Sequence, residues 1–225
     1  MKGKLIVIDG TDGSGKSTQT AILERRLRRD GYRVVVEDFP QYGQKSAGLV
    51  EEYLTGAFGS AKKLGSYVPS IFYAADRFAA SERIRKNLAA GRAVICNRYV
   101  TANMAHQGGK ISSRAARKKF FGWVTDLEYG LFGIPKPDLN LILHMPAKVA
   151  QKLVDSKAAR NYLKGKKRDI HEKDLGHLLA AEKAYLEIAK RFSYPVIECY
   201  EDGHVLTREE IAERVRSMIK KQLKI

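Results

Sequence analysis

The residues with the clearest chemical capacity are Gly10-Thr-Asp12-Gly13-Ser14-Gly15-Lys16-Ser17-Thr18. The spacing Gly10-x4-Gly15-Lys16-Ser17 fits the phosphate-binding P-loop pattern. Glycines let backbone N–H groups turn inward and approach a polyphosphate, which a Cβ would obstruct. A helix opening directly behind the loop adds partial positive charge. Lys16 can reach the outer phosphates, and the Ser17 hydroxyl can ligate Mg²⁺. Leu5-Ile-Val-Ile8 before the loop is the short apolar run of a strand buried on both faces. Behind it, Ile22, Leu23 and Leu27 recur at helical spacing until Gly31. This strand–loop–helix context predicts a nucleoside triphosphate site.

The rest of the chain must supply the elements that hold this loop and face it. Residues 33–38 read as a second strand, ended by the loop Phe39-Pro40-Gln-Tyr42-Gly43. Residues 46–54 read as a helix, and 57–68, with Gly59, Gly65 and several polar groups, as a connector. Pro69 suits the start of a long helix whose apolar positions run through Ile71, Phe72, Ala75, Phe78 and Ile84 to Leu88. Residues 93–96 form a third strand, followed at once by Asn97-Arg98-Tyr99. Helices are expected over 100–107 and 113–130, the latter placing Trp123 in the core. A fourth strand covers 139–144, and a helix from Pro146 runs to about residue 159. Residues 160–168 hold five cations and almost nothing apolar, a poor core segment and a suitable mobile lid. A helix over 169–192, a fifth strand over 195–198 and a terminal helix with a Thr207/Glu210 capping box complete the chain.

Strands alternating with helices predict an α/β fold: a five-stranded parallel sheet with helices on both faces. Right-handed crossovers bring the loops after the strands to one edge, so 10–18, 39–43 and 97–99 should converge there. At 225 residues and 44% hydrophobic, one domain spanning 1–225 with a lid at about 157–170 is expected. No apolar run approaches the roughly 20 residues of a membrane span, and Met1-Lys2-Gly3 leads straight into the first strand. Cys96 and Cys199 lie far apart and read as reduced core thiols, so the expected compartment is the cytoplasm. The net charge of +16 is dispersed over 25–29, 114–119, 160–168 and 208–224. Without aromatic interleaving, it does not predict polynucleotide binding as a main function.

Taken together and in order, these motifs resemble the thymidylate kinase family of nucleoside monophosphate kinases. The resemblance spans nearly the whole chain. It rests on the P-loop with Asp12 inside it, Phe39-Pro40-x-Tyr42-Gly43, Phe72-Tyr73-Ala-Ala-Asp76-Arg77, Asn97-Arg98-Tyr99, Ala105-His106-Gln107-Gly108-Gly109, Pro137-Asp138-Leu139 and Arg168-Asp169-Ile-His171-Glu172. It implies transfer of the γ-phosphoryl of ATP to dTMP, with ATP and Mg²⁺ bound, and it is compatible with a homodimer.

Carried over by position, residues 10 and 12–18 hold ATP, with Ser17, Asp12 and Glu172 near the metal and Asp9 in support. Asp12, Phe39, Tyr42, Tyr73, Arg77, Arg98, Asn103, His106, Gln107 and His171 bind the acceptor. In this reading Tyr73 stacks on the base, Arg77 binds near the acceptor phosphate and the base edge, and Asn103 hydrogen-bonds the base. Arg98 clamps the acceptor phosphate, and Lys16, Arg98, Arg160 and Arg168 act on the transferring group. Gly13 stands where one branch of the family carries a catalytic arginine, which points to the lid as its source here. Asn97 departs from the family's usual aspartate. The residues alone leave alternatives: Tyr73 packing in the core, Arg77 paired with a nearby carboxylate, and the lid cations as a solvated loop. For the whole chain they are another nucleotide or nucleoside kinase on this fold, or a nucleotide-binding protein weakened in catalysis.

Overall fold

Successive side chains of a strand point to opposite faces, and the first apolar run divides accordingly. Leu5 and Val7 enter one core and Ile6 and Ile8 the other, all four fully buried. The computed structural model describes residues 3–155 and 174–223. Within them, β1 (Lys4–Gly10) lies at the centre of a five-stranded parallel sheet with β2 (Val34–Asp38), β3 (Ala93–Asn97), β4 (Leu139–His144) and β5 (Val196–Glu198). The strand order is β2-β3-β1-β4-β5.

On one face α1 (Lys16–Arg29), α7 (Ala147–Asp155) and α9 (Arg208–Leu223) cover Ile6 and Ile8 through Leu23, Leu27, Ala150, Ile211, Val215 and Ile219. On the other, α4 (Tyr67–Ala89), α5 (Val100–Gly108), α6 (Arg114–Thr125) and α8 (Leu175–Phe192) cover Leu5 and Val7. Each core aliphatic of this kind contributes about 1.5–3 kcal/mol on burial. The capping box forms as expected: Thr207 N donates to Glu210 Oε2 at 2.7 Å, and Glu210 N to Thr207 Oγ1 at 3.2 Å. Cys96 and Cys199 are both buried and free. No helix among the described residues is long and apolar enough to cross a membrane.

Several local expectations are corrected. The connector over 57–68 contains a short helix, α3 (Ala61–Leu64), capped by Ser60, and α4 begins at Tyr67 so that Pro69 sits in its first turn. Ile71 and Phe78 are 44% and 52% exposed, whereas Ser70, Arg77 and Ser81 are buried. The buried side of α4 is mixed: Ala74, Ala80 and Ile84 are fully buried, the last two in the core with Leu5 and Val7, while Arg77 lines a polar cleft. The helix expected over 113–130 changes pitch after Thr125 and continues as a π-helical segment, Asp126–Leu131. Trp123 is half-buried, edge-on to Tyr67 at 4.7 Å. A hairpin of β6 (Tyr200–Glu201) and β7 (His204–Val205) was not anticipated. The lid expected at about 157–170 lies outside the described residues, as do Arg160, Arg168, His171 and Glu172.

Candidate active site

The P-loop joins the C-terminal end of β1 to α1, and its glycines are needed individually. Gly13 has φ +84°, and a Cβ there would stand 2.4 Å from the Ala150 carbonyl of α7. No side chain, an arginine included, fits at this position without moving α7. Lys16 opens α1 and folds over the loop, its Nζ donating to Gly10 O at 3.0 Å and Thr11 O at 2.7 Å. Ser14 Oγ is buried with no hydrogen-bond partner among the described residues.

Arg98 faces this loop from the end of β3. Its φ of +67° is left-handed, a conformation that costs a non-glycine residue about 1–2 kcal/mol. The backbone is held there by Arg98 N donating to Ile8 O at 3.0 Å and by Tyr99 N donating to Asp9 Oδ2 at 3.2 Å. The turn aims the guanidinium at Asp12, and the two form a short ion pair. Burial alone would raise the Asp12 carboxyl, but Arg98 and Lys16 hold it well below the usual range. Asp9 is fully buried and accepts from Tyr185 Oη at 3.1 Å; burial raises its carboxyl against the pull of Arg98 and Lys16.

Asp12 and Arg98 also form one wall of a cleft of about 560 Å³, including its open mouth. Phe39, Pro40 and Tyr42 contribute from the loop after β2, Tyr73 and Arg77 from α4, and Ala102, Asn103, His106 and Gln107 from α5. Leu54, from α2 (Gly48–Thr55), closes it. The nine acceptor residues nominated from sequence within the described residues therefore share one cavity; His171 lies outside the described residues.

The polar atoms of this cleft are oriented by their neighbours. Arg77 Nε and Nη2 donate to the two oxygens of Glu128 at 2.5 and 2.7 Å, and both side chains are buried. The alternative in which Arg77 pairs with a carboxylate and the one in which it lines the cavity therefore hold together. Asn103 Nδ2 donates to Ser70 O at 3.2 Å and Glu128 Oε1 at 3.0 Å, so its amide is turned with Oδ1 left without a hydrogen bond among the described residues. Tyr73 is half-buried, edge-on to Tyr53 with centroids 6.3 Å apart. His106 Nδ1 lies 3.3 Å from His177 Nε2, the rings stacked at 5.6 Å. Burial pushes His106 well below its ordinary value and His177 down to about 4, so the pair is neutral near pH 7.

A family model described as thymidylate kinase matches residues 8–200. The chain belongs to the thymidylate kinase family. The thymidylate kinase of Mycobacterium tuberculosis is 32% identical over 186 residues, which cover 82% of this chain and 85% of that protein. That of Caulobacter vibrioides is 31% identical over 191 residues, 84% of each. That of Caldicellulosiruptor saccharolyticus is 28% identical over 228 residues, covering 100% and 99%. The solved thymidylate kinase of Candida albicans superposes with a TM-score of 0.74 over 98% of this chain and 92% of that one. At 22% identity this is a likeness of fold.

Against the thymidylate kinase pattern, position 97 reads differently in three dimensions. Asn97 Nδ2 donates to Asp38 Oδ1 at 2.8 Å and to Ser17 Oγ at 3.3 Å. A carboxylate thus stands beside the position where the family usually has its aspartate. Desolvation of its carboxyl raises Asp38 against the pull of Arg98, although the residue as a whole is exposed.

Sequence reasoning missed four residues that hold this site's neighbours in place: Asp38 on Asn97, Glu128 on Arg77, Asp76 on Gln41 and Lys110 on Gln107. Asp76 accepts from Gln41 N at 2.9 Å and Ser46 Oγ at 2.6 Å, which fastens the Pro40–Tyr42 wall to α4. Its position beside Arg77 in the helix motif was the available signal. Glu128 had none, because a helical pitch of 3.6 residues does not predict which way a π-helical turn faces.

Proposed function

We infer that this chain transfers the γ-phosphoryl group of ATP to dTMP, giving dTDP and ADP. The observation that carries the reading is the Asp12–Arg98 ion pair: Asp12 belongs to the P-loop and Arg98 to the acceptor cavity, so the two anion sites share a wall. Phosphoryl transfer is mainly positioning and charge neutralisation, and two abutting cationic sites supply both. In this reading the backbone amides of 10–18 and Lys16 hold ATP, and Arg98 leaves Asp12 for the acceptor phosphate. Arg77 turns Nη1, which has no hydrogen bond among the described residues, to the acceptor, while Glu128 holds its other edge.

The imide edge of thymine alternates carbonyl acceptors with an N–H donor. Asn103 Oδ1 and Gln107 Nε2 offer the matching acceptor and donor, and a site built this way rejects analogues that leave such groups unpaired. Mg²⁺ prefers oxygen ligands. Ser17 Oγ and Asp38, both reached by the Asn97 amide, would hold it together with nucleotide phosphates. Bound there, the ion neutralises phosphate charge. Asp12, engaged by Arg98, fits this role less well. Arg160 and Arg168 remain the proposed lid cations. A homodimer in the cytoplasm belongs to the same proposal, supported by the free buried cysteines and the exposed Val68 and Ile71.

The test is a panel of nucleoside monophosphates assayed with ATP and Mg²⁺, in the wild type and Lys16→Ala. We expect dTMP to be the preferred acceptor and Lys16→Ala to lose on the order of 10²-fold or more in kcat with melting unchanged. Absence of turnover with every monophosphate overturns the reading. Preference for another monophosphate moves the chain to a different nucleotide kinase activity.

A further inference from the structure

Gln107 is fully buried in the wall of the acceptor cleft, and its amide is not free to choose an orientation. Its Oε1 accepts from Lys110 Nζ at 2.5 Å. An ammonium group has donors only, so the oxygen is held toward Lys110. Nε2 is then the polar atom left over, and it has no hydrogen-bond partner among the described residues.

Lys110 sits just past the end of α5 and is itself fastened on three sides. Its other contacts are Tyr53 Oη at 2.7 Å and Gly65 O at 3.1 Å, with Nζ 5.2 Å from the centre of the Tyr53 ring. Three acceptors match the three donors of an ammonium, and none of them is a carboxylate. Burial without a counter-charge pushes Lys110 down to about 7. In its neutral form the amine still keeps two N–H donors for Gln107 Oε1 and Gly65 O, while Tyr53 Oη can donate to its lone pair. A lysine with only a solvating role would leave its charge in water; this one is drawn inward to meet Gln107.

We propose that Lys110 is a positioning residue for acceptor selection: by occupying Gln107 Oε1 it commits the Nε2 N–H to the cleft. The site thereby favours a pyrimidine with a 4-oxo group over one with a 4-amino group. The inference rests on the dTMP reading above and names how that site chooses its base. With Lys110 removed, the Gln107 amide is able to turn over and present its oxygen, which accepts from an amino group as readily as Nε2 donates to a carbonyl. Selectivity falls before phosphoryl transfer does.

The experiment compares the wild type, Lys110→Met and Lys110→Arg. Steady-state kinetics with dTMP and dCMP are paired with calorimetric binding of each monophosphate, and melting curves establish folding. For Lys110→Met we expect the dTMP KM to rise about tenfold with the ATP KM unchanged. The dTMP-to-dCMP preference should narrow by a similar factor in kcat/KM and in binding, and Lys110→Arg should restore most of it. An unchanged preference in Lys110→Met, or equal losses in both KM values and kcat, overturns the proposal in favour of a purely structural lysine. Should Lys110→Met fail to fold, Lys110→Gln, which keeps one neutral donor to Gln107, takes its place with an intermediate preference expected. A wild type that binds dTMP over dCMP yet phosphorylates neither overturns the kinase reading, and the binding preference of the variants then decides on Lys110.

Discussion

Arg77 and Glu128 meet edge to edge inside the protein, two nitrogens on two oxygens, with Asn103 donating to the same carboxylate. They come from α4 and the π-helical segment, 51 residues apart in sequence, so one wall of the cleft is set by a long-range pair. Burial disfavours the Arg77 charge, and Glu128 more than compensates, raising its pKa further. Removing one member of a buried ion pair leaves the other without compensation, at a cost of about 3–5 kcal/mol.

Glu128→Gln should therefore destabilise the protein strongly while preserving its shape. On the scale of roughly 2–4 °C per kcal/mol for a chain of this size, melting should fall on the order of 10 °C. The dTMP KM should rise and the ATP KM stay near wild type, because the P-loop does not touch this pair. Melting within a degree or two of wild type would show that water reaches the pair.

Asn97→Asp would place a second carboxylate next to Asp38, whose proton affinity is already raised. Like charges in contact raise each other's affinity for protons. A folded state with raised carboxyl pKa values loses stability as pH climbs through them. The variant should melt below wild type, by a larger margin at pH 8 than at pH 5. Added Mg²⁺ should recover part of the loss if the cation sits between residues 17, 38 and 97. A pH-independent difference would contradict contact between the two carboxylates.

His144 ties the end of β4 to β5 and α8, with Nδ1 at 2.6 Å from Glu198 and Nε2 at 3.0 Å from Glu182. Burial lowers its pKa, but the two glutamates outweigh burial and raise it. Both nitrogens can donate only in the imidazolium form. The folded value lies above the unfolded one, so this stabilisation is complete below about pH 6.5 and is lost as pH rises through the folded value. Between pH 6 and pH 8 the wild type should lose more melting temperature than His144→Gln, by roughly 2–4 °C if the triad contributes about 1 kcal/mol. Equal losses would mean that the imidazolium adds nothing.

The legibility of α4 shows where pattern reading stops. Its apolar residues pointed to a face through Ile71 and Phe78, yet the inner face carries Ser70, Arg77 and Ser81. Periodicity found the core side at Ile84 and Leu88 but not at Ile71 and Phe78, because the same buried side of α4 also carries Arg77 into a cleft wall. The P-loop suffers no such ambiguity. Its glycines and Lys16 are required by local geometry, and the motif carries its own context of strand and helix.

From the amino-acid order alone came the alternation of strands and helices, the P-loop between β1 and α1, and the convergence of residues 10–18, 39–43 and 97–99 on one sheet edge. These follow from local propensity and the handedness of crossovers, which act over short stretches of chain. Only the folded structure decided that Glu128 holds Arg77, that Asp38 stands beside Asn97, and that Lys110 turns the Gln107 amide. The first two depend on side chains 51 and 59 residues apart, and the third, between residues three apart, on Tyr53 and Gly65 drawing Lys110 inward. A charge has no assigned partner until packing has brought another within about 3 Å of it.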